Sequence, residues 1–349
     1  MRREVRVRAG LLAAVAALIV VLLIYFGSRG LRDFDSALIG YAVATIVAAA
    51  ALTYRYAVWI DRPPTRRYFR GGWRALFTGR GLRSLPRAIF SDLLAQTYIR
   101  PRSVYRWTAH LLVFWGVILS LALTLALSWG WIRFTLASAD RMYRTWVFGI
   151  PIMTFPAESP LGFFLYHFLD FTAVLVIAGT LMFLWRRLTD PGVMATQRFS
   201  FDLLPLFILL AISLTGLALT VSSMLLEGRF YWFLSLTHQA VVVFWLLGMA
   251  FGKFFHVVQR PATIGVKLYQ NAEQGIEHYT DAPQTGRCAR CGTELPSAQF
   301  TADLKAVLND LGQNYQLGDG RGVLQDYCPR CKRVLRGAAY YELMGKKFL

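Results

Sequence analysis

Cysteine is missing from the first 287 residues, and acids are scarce, with 20 Asp and Glu against 38 Lys and Arg. The greater part of the chain therefore has no disulfide framework and no thiolate metal site. Charged residues make up only 17% of the sequence, too few to solvate the surfaces of two or three soluble domains, while 56% is hydrophobic. No internal repeat and no low-complexity tract is present, which argues against the repeated halves of many transporters. No RNA- or DNA-binding motif accompanies the net charge of +18, so nucleic acid is excluded as a partner. The opening MRREVRVRAG followed by LLAAVAALIVVLLIYF lacks a small-residue cleavage site, and it reads as a retained helix rather than a signal peptide.

What the chain does contain is long apolar runs. Six of them, near 9–27, 37–59, 106–131, 161–186, 202–226 and 231–258, match the roughly 20 helical residues that cross a bilayer. Arginine crowds between them: eleven fall from 61 to 106, Arg186, Arg187 and Arg198 follow the fourth run, and Lys253, Arg260 and Lys267 close the sixth. Threading six spans puts all of these on one side, and the positive-inside bias makes that side the cytoplasm, with both termini there. The expectation is an all-α polytopic protein of a prokaryotic plasma membrane. Residues 1–60 would hold two helices, 61–105 a basic cytoplasmic loop with an interfacial helix at 91–99, and 106–260 a four-helix core. Residues 261–349 would be a small cytoplasmic, zinc-ribbon-like tail.

Four of the five histidines, His110, His167, His238 and His256, lie in these runs. Ionisable groups at membrane depth are costly and mark function. A lone histidine most simply hydrogen-bonds across helices; four at matching depths carry more. Eighteen residues separate His238 from His256, five turns of one helix, so both would point from one face about 27 Å apart. Threading sets His110 level with His256 on the inside and His167 level with His238 on the outside. Two imidazoles facing across a bundle grip a haem. Zinc would call for a third or fourth ligand. Cys291 is followed by Gly292 and Cys331 by Lys332, so covalent haem attachment is absent and two b haems are expected. Gly116, Gly179 and Gly248 could let a porphyrin approach the backbone, and Arg106, one turn before His110, could meet a propionate or simply snorkel.

The stretch SDLLAQTYIRPRSVYRWTAHLLVFWGVILSL (91–121) and the closing helix with its two histidines resemble the membrane cytochrome b proteins typified by the gamma subunit of respiratory nitrate reductase, a group that includes the membrane subunit of heterodisulfide reductase. The likeness covers roughly residues 85–260. It implies five helices with two b haems, which pass electrons between a quinone (menaquinone or ubiquinone) and soluble iron–sulfur subunits at the cytoplasmic face. It maps His238, His256 and His110 onto ligands. The fourth ligand of that pattern falls at Ser120, which cannot serve, and depth assigns the vacancy to His167. The first span and the cysteine tail lie outside the pattern.

Cys288-x-x-Cys291 and Cys328-x-x-Cys331 offer two thiolates from each of two tight turns, a four-cysteine site for zinc, with iron as the alternative. Such a tail could dock a soluble partner, and His278 within it is expected to face solvent. For quinone chemistry at the outer end, Asp170 is the first proton-handling candidate, followed by Glu158, Tyr166 and Glu227; capping or pairing with Arg141 or Arg229 would explain them equally. Two rivals remain, a proton-coupled transporter using buried histidines and a cofactor-free scaffold with a zinc docking tail.

Overall fold

The computed structural model describes residues 3–138, 141–195, 197–274, 285–313, 315–318, 320 and 322–345; His278 lies outside them. In chain order the helices are α1 (Arg3–Gly27), α2 (Ile39–Ile60), α3 (Pro63–Leu76), α4 (Gly79–Ala88), α5 (Val104–Ser128), α6 (Pro160–Tyr166), α7 (Phe168–Thr189), α8 (Pro191–Met194), α9 (Leu204–Leu225), α10 (Tyr231–Gly248), α11 (His256–Glu273), α12 (Ala298–Asp310) and α13 (Pro329–Leu343). The strands are β1 (Ile132–Ser138), β2 (Met142–Val147), β3 (Ile150–Pro156), β4 (Thr285–Arg287) and β5 (Glu294–Ser297). Among the described residues six helices are long and apolar enough to cross a membrane, and they carry large apolar side chains outward, such as Leu18, Val43, Leu181 and Phe244.

The chain divides into two compact units, and the first comprises 1–58 and 95–259. Its core joins Tyr41, Ala44 and Ala48 of α2 to Val176, Leu209, Val242, Trp245 and Leu246 on α7, α9 and α10. Small residues set the spacing of α5 and α7. A Cβ on Gly116 would lie 2.6 Å from Val176 Cγ2, and one on Gly179 would lie 2.7 Å from the Ala109 carbonyl oxygen. These two glycines thus serve helix packing rather than the approach of a porphyrin. Gly248, the third of that set, ends α10, and a Cβ there would meet nothing within 4 Å.

The mostly helical fold departs from all-α between the third and fourth runs, where β1, β2 and β3 form an antiparallel sheet in that order, with Phe148 and Gly149 both at positive φ in the tight β2–β3 turn. Two expectations about the runs themselves fail for physical reasons. The fourth span does not start at 161, because the chain breaks at His167 between α6 and α7. The sixth run is not one helix. Glycines 248 and 252 flank a turn after α10, and Arg55 of α2 donates Nη1 to the freed Ala250 carbonyl while its guanidinium lies 4.2 Å from the centre of the Phe255 ring. His238 and His256 therefore stand on separate helices, and the five-turn argument does not describe their relation.

At the sheet end, Asp33 is buried between Arg29 (2.7 Å) and Arg133 (3.2 Å), and the Arg29 hydrogen bond holds its carboxyl below the usual range.

The second unit comprises 59–94 and 260–349, so the basic loop and the cysteine tail fold as one body rather than as separate segments. Ala75, Ala88, Ile264 and Leu268 form one core in it, and α3 meets α11 where a Cβ on Gly72 would sit 2.6 Å from the Gly265 carbonyl carbon. Asp303 of α12 is fully buried; its Oδ1 accepts from Arg67 Nε at 2.7 Å and from the Tyr269 hydroxyl at 3.1 Å. The helix expected at 91–99 lies earlier. Thr78 caps α4 by accepting from Gly81 N–H, the helix passes through a π turn at Ile89–Leu94, and it ends where Gln96 takes φ 49°. Ser91 sits inside that element.

Candidate functional site

Two cavities lie one above the other inside the bundle of the first unit. The first, about 250 Å³, opens at the end opposite the sheet and is lined by His110 of α5 and His256 of α11, with Arg187, Asp202 and Lys253. Phe114, Phe183, Leu206 and Phe254 supply its apolar wall. His110 stands edge-on to Phe183, with ring centres 6.3 Å apart. Asp202 accepts from Lys253 Nζ at 2.8 Å and from Arg187 Nη2 at 3.1 Å, so one acid offsets two cations there. Arg106 is not among the lining residues; Ser103 Oγ caps its backbone N–H at the start of α5.

The second cavity, about 280 Å³, lies toward the sheet and is lined by His238 together with Ser120, Tyr166, Asp170, Ser213 and Thr220. Gly216 faces the His238 ring, and a Cβ there would lie 3.4 Å from its Cε1. His167 is not in this lining. Its Nδ1 is held 2.7 Å from Asp170 Oδ2 and its ring packs on Phe163, because the α6–α7 break turns it away while Asp170 is presented inward. The expected level pair of His167 and His238 is therefore replaced by His238 and Asp170, with His167 behind the acid. Thr220 donates to Asp170 Oδ1 at 2.8 Å. Ser120 donates to Thr172 Oγ1 at 2.6 Å, and Thr172 donates in turn to the Leu169 carbonyl. Of the lesser acids, Glu158 pairs with Arg141 at 2.9 Å on the surface, and neither it nor Glu227 lines either of these two cavities.

Hydrogen-bond partners constrain the tautomers of these rings. His256 Nδ1 lies 2.6 Å from the Lys253 carbonyl oxygen, which can only accept, so in the neutral ring Nδ1 holds the proton and Nε2 the lone pair. Thr215 Oγ1 lies 2.7 Å from the Ala211 carbonyl and 2.9 Å from His238 Nδ1; with its hydrogen on that carbonyl it accepts from the ring. Asp170 as carboxylate imposes the same assignment on His167. A carbonyl, hydroxyl or carboxylate partner at Nδ1 is the arrangement found around metal-ligating histidines.

Four residues line both cavities and so form the partition between them: Val117, Leu121, Leu209 and Trp245. Trp245 is 6% exposed, and its Nε1–H is buried with no hydrogen-bond partner among the described residues. The sequence reading missed Trp245, Thr215 and Gly216. Trp245 follows His238 by seven residues, two helical turns, and that spacing was the available signal.

In the second unit the four cysteine sulfurs all lie within 4.8 Å of one another. A tetrahedron with metal–sulfur bonds of about 2.3 Å has edges of about 3.8 Å, so the set fits one ion. Cys288-x-x-Cys291 follows β4, with the Cys288 N–H on the Thr293 carbonyl and Gly292 at φ 69° to close the turn. Cys328 caps α13 and Cys331 sits in its first turn. Backbone N–H groups point at the sulfurs, Cys328 N to Cys288 Sγ at 3.2 Å and Cys331 N to Cys328 Sγ at 3.4 Å. The first of these bonds draws the Cys288 thiol down to about 6, whereas burial pushes Cys331 up to about 12. A bound cation would let all four ionise.

Comparison with known proteins finds no family model, no curated protein and no solved structure that matches this chain.

Proposed function

We propose that the protein is a membrane electron carrier that holds b-type haem in its histidine-lined cavities. On this reading it exchanges electrons with a quinone at the sheet end and with a soluble iron–sulfur partner at the basic end. One observation carries the reading. His110 and His256, 146 positions apart, line one apolar cavity, and the Lys253 carbonyl holds His256 at Nδ1. Haem supplies one-electron redox chemistry when bound. His110 and His256 would ligate it from opposite helices, and the apolar wall excludes water. Arg187 and Lys253 would face its carboxylates, with Asp202 steadying both cations. In the second cavity His238, pinned by Thr215, would ligate a second haem from one side, and the lining supplies no second imidazole. Asp170 would take a proton from a quinol hydroxyl or return one to a quinone oxygen, with His167 beside it to pass the proton outward.

The membrane placement follows the arginine asymmetry of the sequence, and the cysteine site is read as structural zinc that shapes a docking body for the soluble partner. The spectrum of the reduced, purified protein tests the proposal. Reduced b-type bands are expected, and His256→Ala should remove those of the first cavity while the protein still elutes as a monodisperse species. Two haems per chain that fall to one in His167→Ala would show that His167 turns off Asp170 to complete the second site. No haem bands in protein expressed with haem supplied would discard the reading in favour of the transporter or the scaffold.

A further inference from the structure

A third cavity, of about 470 Å³, lies within the second unit and has no part in the chemistry above. It is bounded by the turn from α3 into α4 and by one face of α11, and its lining includes Thr78, Gly79, Arg80, Arg83, Ser84 and Asn271. No acidic side chain among the described residues lines it. Neither arginine has a carboxylate partner among them, although each sits on a chain that forms eleven ion pairs elsewhere.

Three features converge on that space. First, α4 begins there. Thr78 Oγ1 takes the Gly81 N–H at 3.1 Å, and the N–H groups of Gly79 and Arg80 donate to no described residue, which leaves the positive end of a ten-residue helix facing the cavity. Second, a Cβ on Gly79 would meet nothing within 4 Å, so open space lies directly against this backbone. Third, and independently, Asn271 of α11 is only 7% exposed, lines the cavity, and has no hydrogen-bond partner among the described residues. The residue is more than nine-tenths buried but its carboxamide is not sealed off, so what the amide can bind reaches it through the cavity that it lines.

We propose that this cavity binds a phosphate group. Two guanidinium forks, two helix-terminal N–H groups and a carboxamide offer more donors than a planar carboxylate can accept, and a tetrahedral phosphate ester or free phosphate matches them. The same chemistry can come from the headgroup of an anionic phospholipid or from a soluble phosphate. The proposal is independent of haem.

The test uses the full chain purified in phosphate-free maltoside detergent, with phosphorus NMR line broadening as the readout. Inorganic phosphate is one probe, and phosphatidylglycerol in mixed micelles, against phosphatidylcholine, is the other. Binding of either probe is expected, weakened about tenfold by Asn271→Leu and by Arg80→Ala/Arg83→Ala. Arg74→Ala/Arg87→Ala, which removes two exposed arginines of the same helices that do not line the cavity, should leave it unchanged. Response to phosphatidylglycerol alone assigns the site to lipid, and response to inorganic phosphate assigns it to a soluble ligand. No broadening with either probe overturns the proposal. So does an equal loss in the two double-arginine variants, which would show surface charge rather than a built site.

Discussion

Replacing Arg67 by methionine tests whether the basic loop and the cysteine tail form one cooperative body. Asp303 is 0% exposed; its Oδ1 receives Arg67, Tyr269 and Gln299, while its Oδ2 is buried without a partner among the described residues. Removing one partner of a fully buried pair costs about 3–5 kcal/mol. Arg67 is 40% exposed, so solvent screens part of its share, and two neutral donors stay behind; about 2–3 kcal/mol is the working figure. At 1.4 kcal/mol per decade that is roughly a 30- to 150-fold loss of hydrogen-exchange protection for the amides of α12. The amides of α5, in the other unit, should keep theirs. The double variant Arg67→Met/Asp303→Leu, with no buried charge left, should recover part of the loss. A change below about threefold in α12 would refute the assignment of Asp303 as the anchor of this body, and so would an equal loss in α5.

Two further outcomes follow from the packing and from the cysteines. Gly179→Val places a side chain against the Ala109 carbonyl and Val113, and it should lower stability by about 1–3 kcal/mol, read as a drop in Tm; an unchanged Tm would mean that α5 and α7 are not held at that distance. Elemental analysis should find one zinc per chain, lost in Cys328→Ser, and chelation should expose the region around Leu295 and Tyr327 to protease; cleavage that is indifferent to chelator would remove the metal from the account.

The helices were legible because an apolar run of about 20 residues has few other uses, and the cysteine cluster because two Cys-x-x-Cys turns close on one another. The sheet was not. Its strands lie in a segment broken by Pro151 and Pro156 and held by aromatic contacts of Tyr166 with Phe134, Tyr143 and Phe155, which only the folded chain brings together. The break after Gly248 was equally hidden, since the donor that stabilises it, Arg55, is 195 residues away. Periodicity located His238 and His256 as significant for a geometric reason that does not hold; the cavities, not a shared face, give them their relation. His167 was placed by depth alone. Depth cannot see an aspartate three residues later that captures the ring.

The partition of Val117, Leu121, Leu209 and Trp245 has a consequence of its own. Its four side chains offer no carboxylate and no hydroxyl, so none of them can relay H⁺ from one chamber to the next. An electron needs no such relay and crosses closely packed side chains, an indole among them, by tunnelling. Under the proposed reading, the wall is what makes the protein a conductor for one kind of particle and an insulator for the other. Carving a polar gap there, even one that leaves every ligand in place, would short-circuit any voltage the turnover builds.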